Sequence, residues 1–217
     1  MALTLLLLLL AMGLLGASGV VGLCFGRRTS AGQRSATLLL LIGAGVGLGA
    51  VGRSLVLGET LTLDLAWLLP FGRFRLKMDA LAGTFLLPVL LIPALVSVYG
   101  TAYWRAAEHP GNARPVQLYT GILAASMALV VLAQDVVLFL LAWEMMALSA
   151  YFLATAENTD PAACRAGWNY LVGAHVAAAF LIAVFCLLHQ STGSFALEDI
   201  QPGVLAPRIA PAIFVLA

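Results

Sequence analysis

Charge is scarce in this chain. Only 10% of its 217 residues are Asp, Glu, Lys or Arg, where a soluble domain carries about a quarter. With 62% hydrophobic residues and a mean hydropathy of +1.02, this composition belongs to an integral membrane protein. The formal net charge is +1, and no block of basic residues stands out. That leaves no electrostatic footprint for nucleic acid. Cysteine is equally sparse. Cys24, Cys164 and Cys186 are scattered, without a CxxC or a paired-His spacing. They make neither a zinc nor an iron–sulfur site, and they read as small apolar residues in helices or at helix ends. No catalytic, metal-binding or cofactor-binding residue emerges, so no cofactor is expected.

What the chain has is long apolar runs. A bilayer span needs about 20 mostly apolar residues. Six runs qualify, near 2–26, 36–57, 79–104, 116–133, 136–156 and 169–190. A seventh begins near 209 and reaches Ala217 incomplete. The expectation is a single all-α membrane domain over 1–217, ending inside a helix. The first run could pass for a secretory signal. However, no positive charge precedes it and it continues to Phe25, so it reads as a retained helix.

One segment has a different period. Residues 60–66 and 73–78 alternate polar and apolar around a Trp-Leu-Leu-Pro-Phe-Gly turn. That pattern predicts a short β-hairpin over 60–78 at the membrane surface. Asp79 follows and is placed to cap the third helix, and Asp135 to cap the fifth. Pro88 and Pro93 are expected to kink the third helix. Gly43, Gly45, Gly47 and Gly49 form two overlapping GxxxG pairs, read as intramolecular packing.

Orientation rests on the loops. With the N-terminus outside, the inner loops hold Arg27, Arg28, Arg34, Arg105, Arg114 and Arg165. The outer side holds Arg53, Arg73, Arg75, Lys77 and Arg208. The compact inner loops are the basic ones, which favours the N-terminus outside.

Against this apolar background Glu144 stands out. It lies nine residues past Asp135, about 14 Å along a helix at 1.5 Å per residue, and so close to mid-membrane. A charged side chain there costs roughly 2.5–3.5 kcal/mol on insertion scales. Burial favours the neutral carboxyl and a nearby cation favours the carboxylate. A Glu held between the two can load and release a proton. Trp143 precedes it as a structural neighbour. His175, about two turns into the sixth run, could exchange protons with Glu144 if the two helices pack together. His109 and His189 read as interfacial. Thr120 and Ser126 read as bonding to their own helix.

The run DVVLFLLAWEMMALSAYFLATAE, residues 135–157, resembles the fifth helix of the proton-pumping, antiporter-like membrane subunits. These are the large membrane subunits of respiratory complex I, of formate hydrogenlyase and membrane-bound hydrogenases, and of Mrp-type sodium/proton antiporters. KMDALAGTFLLPVLLIPALVSVYGTAYW is similar to their third helix, and HQSTGSFALEDI to the loop after their sixth. The hairpin at 60–78 is also similar to theirs. The wording around LAWEMMALSAYFLA and NYLVGAH is nearest the hydrogenase-linked branch.

The resemblance implies that Glu144 is the central acid of a proton path. It implies a subunit without its own cofactor, working beside other membrane subunits of a multi-subunit redox complex. It also implies a lipid bilayer around it, with a bacterial inner membrane as the expected location. A redox-independent sodium/proton antiporter subunit, or an inactive membrane remnant, are the alternatives. Family members are longer, and their seventh helix carries a Lys paired with the fifth-helix Glu. Several relatives have a Lys where this chain has Asn169.

Overall fold

A computed structural model describes residues 1–26, 30–67, 71–200, 211 and 213. Apart from residues 211 and 213, the expected seventh helix at 209–217 lies outside the described residues. Within them the chain forms α1 (Ala2–Leu23), α2 (Ser30–Leu57), β1 (Leu61–Leu65), β2 (Phe74–Met78), α3 (Ala80–Tyr103), α4 (Ala113–Leu132), α5 (Val136–Ala154) and α6 (Pro161–Thr192). All six α-helices are long and apolar enough to cross a membrane.

Three helices begin earlier than hydropathy alone predicts, α4 by three residues at Ala113 and two others by more. α2 starts at Ser30 rather than 36, and α6 at Pro161 rather than 169. Membrane propensity sees only the apolar part of a helix, whereas capping sets its true start. For α6 the start is chemical. The Asp160 carboxylate accepts the Ala162 N–H at 2.9 Å, and Pro161 fills the first helical position, where no N–H is needed. The 32 residues of α6 extend about 48 Å at 1.5 Å per residue. Its first turns therefore reach past the hydrocarbon layer and carry Arg165.

The helices alternate up and down. α1 packs on α2 and α4, α3 on α2 and α4, and α5 joins α4 to α6. α6 is the outermost, touching the bundle through α5. The core is formed by Leu15, Leu40, Val51, Leu86, Leu90 and Leu132. Gly43 and Gly47 lie against α1, and Gly47 also against Leu90 of α3. Gly45 and Gly49 have open space around them. So one GxxxG pair packs inside the bundle, as expected, and the other faces outward. α3 is helical straight through Pro88 and Pro93.

The hairpin pairs antiparallel with Leu61 opposite Met78 and Leu65 opposite Phe74. Period-2 alternation puts Leu61, Leu76 and Met78 on its buried side. Its outer face holds Asp64, bridged by Arg73 at 2.7 Å and Arg75 at 2.9 Å. The hydrogen bond from Arg73, with a second from Arg75, holds the Asp64 carboxyl below the ordinary carboxylate range.

At the opposite end Gln33 ties α2 to α3. Its amide donates to the Gly100 and Trp104 carbonyls at 3.0 and 2.9 Å, and its oxygen accepts the Ala106 N–H. These carbonyls lie at the C-terminal end of α3, where Gly100 O also accepts the Trp104 N–H and Trp104 is the C-cap. A buried hydrogen bond from Ser97 to Thr37 continues this polar seam.

Candidate functional site

α5 is positioned by its cap. Asp135 is extended and 3% exposed. One carboxylate oxygen accepts the N–H groups of Val137 and Leu138 at 2.9 and 3.3 Å. The other accepts the Arg73 N–H from the hairpin at 3.0 Å. Gly72 makes this approach possible: its φ is +69°, and a Cβ there would lie 3.0 Å from Val137 and against the Asp135 carboxylate.

The backbone around Asp135 is bonded on both sides. Gln134 N–H donates to Arg75 O, while Val136 N–H donates to Phe195 O. Leu197 N–H donates back to Gln134 O. Arg75 also reaches Glu198 at 2.5 Å. The α4–α5 turn is thus a short extended piece between the hairpin and the loop that follows α6. Asp79 performs the simpler task at α3, accepting the Ala82 N–H at 2.8 Å.

Glu144 is the ninth of the 19 residues in α5, near its midpoint. His175 holds a similar place in α6, and its Nε2 lies 3.6 Å from Glu144 Oε2. The side chains are 51% and 37% exposed, respectively, so the pair lies on an outward face. Two contacts fix the packing of α5 on α6. Phe139 meets Phe185 edge-on at 5.7 Å, with Trp143 stacked on Phe139 at 5.9 Å. Nearer the other end, Gly167 sits so close to Thr155 that a Cβ there would collide with its methyl group. Trp143 places its indole Nε1 in a buried position without a hydrogen-bond partner among the described residues.

The tautomer of His175 follows from its other nitrogen. Nδ1 lies 2.9 Å from the Leu171 carbonyl. A carbonyl only accepts, so Nδ1 carries the proton and Nε2 is the nitrogen turned to Glu144. A neutral Nε2 presents a lone pair. Facing a carboxylate it would be repulsive, so the pair is attractive only when it holds a further proton. Two arrangements satisfy this: a carboxylic acid donating to imidazole, or a carboxylate facing imidazolium. Glu144 and His175 thus face each other across the α5–α6 contact near the middle of both helices.

Of the other polar candidates, the two hydroxyls are bonded to their own helix and the two imidazoles stack on aromatic rings. Thr120 donates to Val116 O at 2.8 Å and Ser126 to Leu123 O at 3.0 Å. His109 stacks on Trp104 at 3.8 Å, and His189 on Phe195 at 4.0 Å. Cys24 caps the C-terminus of α1, and Cys164 and Cys186 lie in α6. The second bond of Asp135, to Arg73, and the Gln33 clamp were not visible in the sequence pattern. Neither has a spacing signature, because the partners are 62 and 67 residues away.

The chain is similar to several known proteins. Residues 133–212 match the family described as NADH:quinone oxidoreductase/Mrp antiporter, TM. Hydrogenase-4 component B of Escherichia coli K12 is 29% identical over 177 residues, covering 82% of this chain and 26% of its own. NADH-quinone oxidoreductase subunit L of the same organism is 30% identical over 141 residues, or 65% of this chain and 22% of its own. The chain thus spans about a quarter of the length of these relatives. A chain of the Mrp complex from Dietzia sp. DQ12-45-1b superposes with a TM-score of 0.76 at 27% identity, covering 98% of this chain and 22% of that one. The chain is homologous to the membrane subunits of the NADH:quinone oxidoreductase, hydrogenase-4 and Mrp antiporter complexes, and residues 133–212 carry the domain of that family.

Proposed function

We propose that this chain is the Glu144-bearing region of a proton-translocating membrane subunit in a redox-driven complex of the NADH:quinone oxidoreductase or hydrogenase type. The observation that carries this reading is the Glu144–His175 pair, 3.6 Å apart at the middle of two membrane-spanning helices. A pair that is attractive only with a proton between its members is a loading site. A cation brought to its open face draws Glu144 to the carboxylate and sends the proton onward. Further helices of a longer subunit would supply that cation. Electron transfer occurs in other subunits, and this region binds no cofactor of its own. Its partners are the neighbouring membrane subunits. Similarity to hydrogenase-4 component B over 82% of the chain supports the hydrogenase-linked branch.

We place the protein in a bacterial inner membrane with the N-terminus outside. Arg34, Arg105, Arg114 and Arg165 then lie on the inner side, and the hairpin and the Asp135 junction on the outer side.

The test is Glu144→Gln in the full-length subunit. Proton pumping should be lost while the complex assembles and its electron transfer is retained in detergent. Unchanged pumping would overturn the assignment. The structural match to the Mrp complex favours a second reading, redox-independent exchange of sodium against protons at the same Glu. In that case transport would follow an imposed sodium gradient without any electron donor. A third alternative is a membrane remnant that transports nothing; it predicts no proton flux from the unaltered protein.

A further inference from the structure

A crevice of about 410 Å³ opens at the inner end of the bundle, between the last turns of α3, the start of α4, the end of α5 and the start of α6. It is separate from the Glu144–His175 pair. Val96, Val116 and Leu153 form an apolar wall, with Tyr99 and Tyr103 stacked at 5.2 Å along its membrane side. A donor in the lining has nothing to donate to. Gln117 is only 6% exposed, and its carboxamide makes no hydrogen bond among the described residues. The Nε1 of Trp104 has no partner among them either, but it lies beneath the accessible surface and does not open into the crevice. The hydroxyls beside them are already used, Thr120 on its own helix and Ser97 on Thr37. Unmet buried donors are unfavourable, so an acceptor oxygen at this place would be favoured. At the rim stands the exposed Glu157 carboxylate, without an ion pair among the described residues. No Lys or Arg lines the crevice.

These features select one kind of occupant. The unpaired Gln117 carboxamide calls for a carbonyl oxygen, the apolar wall for a hydrocarbon chain, and the rim carboxylate beside two tyrosines for a cation. Tyr and Trp mark the interfacial depth, where lipid ester groups lie. We propose that this crevice binds one ethanolamine-headed phospholipid. Its ester carbonyl accepts from Gln117, its acyl chain follows Val96 and Val116, and its ammonium group faces Glu157. An anionic head would meet the carboxylate with no compensating cation.

Photocrosslinking of the full-length protein tests this. Tyr103 is replaced by p-benzoylphenylalanine in proteoliposomes of equal phosphatidylethanolamine and phosphatidylglycerol, and the adducts are identified by mass spectrometry. The same probe at Leu91, an exposed site on α3, reports the bulk lipid. The ethanolamine-to-glycerol adduct ratio at 103 should exceed that at 91 by about three- to fivefold, the discrimination an exposed ion pair supports. Glu157→Gln, whose exposed side chain has no packing role, should erase the preference and keep the adduct. Gln117→Leu should lower the adduct yield at 103 and leave 91 unchanged. Equal ratios at the two sites would overturn the proposal. So would crosslinks to a protein segment instead of lipid, or loss of the lipid adduct on adding a quinone.

Discussion

Replacing Asp135 by Ala removes three hydrogen bonds at one carboxylate, two to the first amides of α5 and one to the hairpin amide of Arg73. Loss of a helix cap destabilises by about 1 kcal/mol. The Arg73 N–H, deprived of its acceptor in a site where Asp135 is 3% exposed, adds roughly 1–3 kcal/mol. Together they give about 2–4 kcal/mol, and for a chain of this size each kcal/mol lowers the melting midpoint by about 2–4 °C. The expected fall is roughly 5–15 °C. Asp135→Asn keeps the capping oxygen, because Asn caps as well as Asp does. It turns an NH₂ toward Arg73 and should lose about half as much. Melting of the 217-residue protein in nanodiscs, followed by tryptophan fluorescence, measures both. Trp67 is a local reporter, since its Nε1 donates to the Phe71 and Gly72 carbonyls beside the junction. A shift below about 2 °C for the Ala variant would refute the accounting. So would an Asn variant as unstable as Ala, since capping would then contribute nothing.

Three further outcomes are expected. His175→Phe removes the acceptor for the Glu144 proton and should slow pumping by about 10²-fold, the lower end of acid–base contributions; a normal rate would remove His175 from the path. The Asp64 carboxyl, lowered by Arg73 and Arg75, stabilises the hairpin fully above the ordinary carboxylate range. That contribution is lost as pH falls through its lowered value. Acid should therefore loosen the hairpin less in Asp64→Asn than in the parent, measured by the pH dependence of Trp67 fluorescence in a variant with Trp104, Trp143 and Trp168 replaced by Phe. Finally, Gly111→Cys in a cysteine-free background has open space around it. With the N-terminus outside, an impermeant maleimide should label it only after the membrane is opened; labelling in intact cells would reverse the orientation.

The sequence by itself determined the spans, the hairpin, the capping aspartates and the mid-membrane depth of Glu144. These are local properties: apolar length, period-2 alternation, a cap residue before a helix, and a fixed rise per residue. It did not determine the start of α6 at Pro161, because hydropathy sees the membrane part of a helix and not its polar extension. Tertiary structure alone decided what faces what. These helices are apolar nearly all round, so their sequences contain little to fix their rotation. Packing brought His175 beside Glu144, and the Phe139–Phe185 contact together with the close approach at Gly167 holds α6 there. Packing also gave Asp135 its second partner across 62 residues and placed Gln117 in the wall of the crevice beside α3. A solitary carboxylate in the sequence thereby acquired His175 as a neighbour at 3.6 Å, because only the folded bundle sets the distance between two helices.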